Sequence, residues 1–151
     1  MTFAKAVDSC PRLKGHYHAG LGALRSDRSR VTIGDGRMIL GSLCVEAAQQ
    51  EISSQEHTWD YGIGLRPGDE VVIWLEVHSA NNSHVQAILD KLDSLIKFLG
   101  EHAAEMSKFP RRYVWLATKG VGIAPASRER RRLNARGIIL KSKRLDLESV
   151  L

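Results

Sequence analysis

Two carboxylates in this chain stand among residues that make a negative charge costly. Asp60 lies within His57-Thr58-Trp59-Asp60-Tyr61-Gly62-Ile63-Gly64-Leu65, and Glu76 within Val71-Val72-Ile73-Trp74-Leu75-Glu76-Val77-His78. Both stretches carry the β-branched and aromatic residues of strands. An ionised carboxylate in such surroundings costs several kcal/mol unless something answers its charge. Pro67, Gly68 and Asp69 supply turn chemistry between the stretches, so a hairpin would bring the two acids together. At about 4 Å and an effective dielectric of about 20, two like charges repel by roughly 4 kcal/mol. A divalent cation converts that repulsion into binding, and oxygen donors of this kind suit Mg²⁺ or Mn²⁺. The plainer alternative is ordinary ion pairing with Arg37, Arg66 or Lys91.

The elements around the hairpin decide what could reach these acids. After it, Val85, Ile88, Leu89, Leu92, Leu95, Ile96 and Leu99 recur at helical spacing, with Asn82 or Ser83 as N-cap and Gly100 as a pause. Lys91 flanks that apolar stripe, where its stem can lie along the core and its ammonium reach the strand ends or water. Before the hairpin, Val31 to Gly36 read as a short strand entering a turn. Ile39, Leu40, Leu43, Ala47 and Ala48 then predict a helix from about Ser42 to Ile52, capped by Ser42. Glu46 falls at the margin of its stripe, facing either a site at the sheet edge or solvent. Downstream, Arg111 to Thr118 read as a strand and Val121 to Pro125 as a turn or short extended piece. Ser127 caps a helix to about Arg136 that ends at Gly137, and Ile138 to Leu140 form a last strand. Gly15, Gly20, Gly22 and Pro11 interrupt the first 30 residues, where His16 and His18, two apart, fit a loop or edge. The pattern predicts a mixed α/β fold, with helices packed on a four- to five-stranded sheet. Residues 1–35 form a poorly defined extension of this single domain, and residues 125–151 a basic helix and strand.

A chain of 151 residues with 43% hydrophobic and 26% charged content is expected to be one soluble domain with a real core. No apolar run approaches the ~20 residues needed to span a bilayer. The first residues lack the apolar region of a signal peptide, so a cytoplasmic protein is expected. Cys10 and Cys44 have no metal-type spacing. The net charge of +5 is uneven: from Lys108 onward twelve Lys/Arg face three Asp/Glu, whereas the first 107 residues are net acidic. Nucleic acid is the polyanion that suits this asymmetry, through Arg128, Arg130, Arg131, Arg132, Lys141, Lys143 and Arg144. A solvated basic face is the alternative.

A helix, a hairpin with Asp60 in its first strand, Glu76-Val77-His78 in its second, then a helix and a further strand: this order resembles the core of the PD-(D/E)XK nuclease superfamily, the restriction-endonuclease-like fold. The likeness covers residues 38 to 120. It implies that Asp60 and Glu76 hold a divalent metal with the Val77 carbonyl, and that Glu46 is the extra acidic residue some members place on the preceding helix. It also implies phosphodiester hydrolysis, with Mg²⁺ or Mn²⁺ as cofactor. The chain departs from the pattern where His78 stands in place of the family's lysine and Trp59 in place of its proline. Lys91 is placed to supply the missing lysine from the next helix, as in some members, and His78 to act as base or ligand. The expectations are therefore a metal-dependent nuclease, a catalytically inactive module of that fold binding nucleic acid or protein, or an unrelated interaction domain. A homodimer stays open.

Overall fold

A computed structural model describes residues 1–52 and 57–151. The chain builds one six-stranded mixed sheet in the order β1-β3-β4-β5-β6-β7. These strands are β1 (Tyr17–His18), β3 (Ile39–Cys44), β4 (Tyr61–Leu65), β5 (Val71–Asn81), β6 (Arg111–Gly122) and β7 (Ile138–Ser142). Antiparallel pairing joins β1, β3, β4 and β5. Parallel pairing joins β5, β6 and β7, and α4 (Val85–His102) and α6 (Arg128–Ala135) make the two crossovers. A separate parallel pair links β2 (Val31–Thr32) to β8 (Leu145–Asp146).

Strand alternation splits the core into two layers. Val72, Trp74, Trp115 and Ala117 face one side and pack with Phe3, Leu13, Val45, Leu92, Leu95 and Leu133, residues of five helices. Val71, Ile73, Leu75, Val114 and Leu116 face the other, beneath Leu21, Leu24, Val31, Leu145 and Leu147. The first helical layer includes α1 (Phe3–Asp8), α2 (Pro11–Lys14), α3 (Val45–Gln50) and α5 (Ala104–Ser107). The first 35 residues, expected only as a poorly defined extension, are thus built into both layers. Two glycines of β4 let large rings close on the sheet. A Cβ on Gly62 would sit 2.5 Å from the Trp74 ring, its cross-strand partner, and one on Gly64 would sit 2.8 Å from Phe3.

Other sequence expectations are corrected. Ser42 does not cap a helix: it is buried within β3, and its hydroxyl accepts from the Ala23 N–H at 3.0 Å. The periodicity of Ile39, Leu40 and Leu43 belongs to a strand facing two cores, and only α3 is helical there. That missed strand and the edge strand β1 raise the sheet to six. The first strand of the hairpin starts at Tyr61, so Asp60 stands just before it. Of the turn or short extended piece expected from Val121, the extended form is found: strand β6 continues through Val121 and Gly122. The polar cap before α4 comes from Asn81, whose side chain accepts from Ser83 N–H and opens a short 3-10 turn. Ser127 does cap α6, accepting from Arg130 N–H at 3.1 Å, and Gly137 takes the positive φ of 73° that ends it.

Candidate functional site

Asp60 and Glu76 meet on the helix-bearing face of the sheet. Tyr61 pairs with Leu75 across the hairpin, so the residues just beyond them, Asp60 and Glu76, fall opposite one another. The side chains interlock with the main chain. Asp60 N–H donates to Glu76 Oε1 at 3.0 Å, and Val77 N–H donates to Asp60 Oδ2 at 3.0 Å. The Asp60 carboxylate therefore takes over the ladder where strand pairing stops. The segment before it is held by Glu46 N–H donating to Asp60 O at 3.2 Å and by Trp59 N–H donating to Gln49 Oε1 at 3.0 Å. Trp59 itself is fully buried against Tyr113, edge to face at 6.5 Å.

Lys91 closes the cluster from α4. Its Nζ donates to Glu76 Oε2 at 2.6 Å, with the lysine side chain 18% exposed and the glutamate 0%. The flanking position beside Leu92 explains the reach: the stem follows the apolar face and the ammonium ends over β5. Of the cations weighed as ion-pair partners, Lys91 takes this role, while Arg37 turns to Asp35 at 3.0 Å.

One lysine does not offset this much buried negative charge. Burial, and then the neighbouring carboxyls of Glu76 and Glu46, push the Asp60 carboxyl far above its ordinary value, against the opposing pull of Val77 N–H. Burial likewise outweighs Lys91 at Glu76 and raises it to about 7. Both acids hold protons that solvent-exposed carboxyls would release, a pattern concentrated at functional sites. As donors they are hard oxygens suited to Mg²⁺ or Mn²⁺. Among the described residues, however, no group of three or more His, Cys, Asp or Glu side chains is arranged to hold a metal ion. The fit is to two carboxylates, with main-chain oxygen or water completing any shell. Val77, whose carbonyl the resemblance implicates, contributes its N–H to the cluster.

The other candidates are dispersed. His78 shares Glu76's strand face by alternation, yet its Nδ1–H donates to Ser79 O at 2.8 Å and its ring sits edge-on to His84 at 4.7 Å. It makes no hydrogen bond to either acid. In the basic segment, Arg130 donates to Ile123 O at 3.2 Å and Arg131 to Ala126 O at 2.9 Å, while Arg132 bonds Gln86 on α4. Lys141 pairs in register with Leu116, which puts it on the sheet face away from the acids. Arg128, Lys143 and Arg144 are exposed. These residues do not form one patch around the carboxylates. Sequence reasoning passed over Gln49 and Ser94, which lie three residues beyond Glu46 and Lys91 on the same helices; the i, i+3 spacing was the available signal.

In comparisons with known proteins, no family model, no curated protein and no solved structure matches the chain. The likeness to the nuclease superfamily therefore rests on this chain's own residues. No helix among the described residues is long and apolar enough to cross a membrane.

Proposed function

We propose that this protein is a divalent-metal-dependent nuclease of the PD-(D/E)XK kind, hydrolysing phosphodiester bonds of DNA or RNA. The observation that carries the reading is Asp60 and Glu76 joined on one sheet face with Lys91 at 2.6 Å from Glu76. The antiparallel β3-β4-β5 meander, followed by the α4 crossover to parallel β6, adds support. Mg²⁺ or Mn²⁺ held by Asp60 and Glu76, with the Val77 carbonyl, would polarise a phosphodiester and acidify an attacking water. Glu46 acts as the additional acid beside Asp60. Lys91 takes the place of the absent motif lysine, its ammonium stabilising charge that builds on the phosphate. Because both acids hold protons in the free protein, they give them up on binding a dication, and affinity rises with pH. Arg128, Arg131, Lys143 and Arg144 are the basic residues exposed for phosphate contact.

A second reading, a nuclease-like module without catalysis that binds nucleic acid or a protein, draws on His78. The residue in the motif-lysine position spends its donor on a neighbouring carbonyl. Mn²⁺ titration followed by thermal melting separates the two. The nuclease reading expects a rise in melting temperature that Asp60→Ala abolishes, and metal-dependent nicking of plasmid or RNA that Glu76→Ala abolishes. Intact nucleic acid together with an unmoved melting temperature removes it.

A further inference from the structure

One helical turn from the carboxylates, a cavity of about 170 Å³ opens between α3 and α4. Its walls include Gln49, Ile52, Ser94, Lys97 and Phe98. Gln49 follows Glu46 by three residues and Ser94 follows Lys91 by three, so along both helices the cavity adjoins the cluster, displaced by about 5 Å.

Gln49 is the informative wall. It is 3% exposed, and its Oε1 accepts from Trp59 N–H. That bond fixes which end of the amide is oxygen. The Nε2 group is consequently buried, carries two hydrogens and has no acceptor among the described residues. A donor left this way is rare in folded chains and calls for a partner. A single water needs only about 15 Å³, so the cavity is many times larger than that partner requires. It is also smaller than the roughly 300 Å³ at which drug-sized pockets begin. One planar ring fits these dimensions. Phe98 supplies an apolar wall, its ring 5.6 Å from His102, and the rim carries one cation, Lys97, and one carboxylate, Glu101.

Resting on the nuclease reading above, we propose that this cavity seats one unpaired nucleobase, whose keto oxygen accepts from Gln49 Nε2, and that the adjoining carboxylates act on single-stranded nucleic acid. A base within a duplex reaches such a cavity only by leaving its stack, which costs unpairing. A single strand meets no such barrier, and its backbone is left free to run across Lys97 toward Lys91. Thymine and uracil carry keto oxygens. Adenine carries none, so the site discriminates between them.

The test uses the full chain with EDTA present, so that binding is read without cleavage. Fluorescence anisotropy is measured with fluorescein-labelled oligo-dT, with the same strand in a duplex, and with oligo-dA. Single-stranded oligo-dT should bind at least tenfold tighter than duplex and several-fold tighter than oligo-dA. Gln49→Leu should erase the dT over dA preference. Since Gln49 also holds Trp59 N–H, Ser94→Leu provides a second route, filling the cavity from α4, and thermal melting checks that each variant folds. Equal binding of duplex, no binding of any oligonucleotide, or a dT preference that survives in a folded variant overturns the inference. Metal-dependent cleavage indifferent to both variants rejects the base site and leaves the nuclease standing. Cavity-dependent dT binding without cleavage in Mg²⁺ or Mn²⁺ rejects the nuclease and retains the base site.

Discussion

The two charged regions of this molecule behave in opposite ways. Around Asp60 and Glu76 a few charges, far apart in sequence, are gathered from α3, β5, α4 and the approach to β4 into one cluster about the buried Glu76. In the segment from Arg128 to Arg144 many charges lie close in sequence and scatter in space. Arg130 and Arg131 fold back on nearby carbonyls, Arg136 reaches Asp93 at 2.6 Å, and Lys141 faces the far side of the sheet. The cause is desolvation. A charge that loses water must find a partner, and its position becomes specified; a charge that keeps water is satisfied almost anywhere.

The sharpest way to break that contrast is to remove the lysine. Lys91→Met keeps the apolar stem and strands Glu76 at 0% exposure beside Asp60. Breaking a buried pair in this way costs about 3–5 kcal/mol while the remaining charge stays ionised. Urea denaturation at pH 8 should show a loss in that range. At pH 5.5 Glu76 can protonate and the loss should shrink; an equal loss at both pH values would mean that Lys91 matters through packing alone.

A smaller effect is expected where the hairpin is shaped by an absent side chain. Gly62→Val drives a branched side chain into the Trp74 ring, where even a Cβ would meet it at 2.5 Å. Overpacking of this sort costs typically about 1–3 kcal/mol. Thermal melting should register the loss, and tolerance of the substitution would show that the face between α4 and the sheet can give way. This glycine also illustrates what the sequence could tell. The hairpin, α4 and α6 were legible because their turn, cap and periodicity signals are local. Strand β3 was not, because six residues buried toward two cores look like one turn-and-a-half of helix. The convergence of Asp60 with Glu76 was legible from strand pairing. The turn of His78 toward His84 was not, since it depends on the β5 irregularity between His78 and Ala80.

Next in size, per pH unit, is the pH dependence of the acid cluster in the metal-free protein. A carboxyl whose pKa is raised by folding binds its proton more tightly folded than unfolded. Between its ordinary value and the raised one the folded state holds more protons, so stability falls as pH rises. For Glu76 that window runs from about 4.5 to about 7, and Asp60 extends it upward. Each group contributes a slope of at most about 1.4 kcal/mol per pH unit. Denaturation midpoints should decline across this range, and Asp60→Asn should flatten the decline. A midpoint that climbs with pH would place the charges in solvent, contrary to the burial of the cluster.

The smallest effect belongs to the basic segment, and there the contrast predicts near silence in stability. Arg131 is exposed, and among the described residues its side chain bonds Ala126 O alone, so Arg131→Ala should shift stability by no more than about 0.5 kcal/mol. Nucleic-acid binding is the more discriminating readout. Each phosphate that the protein no longer neutralises lowers the slope of log affinity against log salt by about 0.7 on a single strand. Replacing Arg131 and Lys143 together by alanine should therefore leave the melting curve in place while the salt slope drops by at most about 1.4. An unchanged slope would assign these residues to solvation alone. A large loss of stability would instead show that the scattered charges are as firmly specified as the buried ones, and the distinction between the two regions would fall with it.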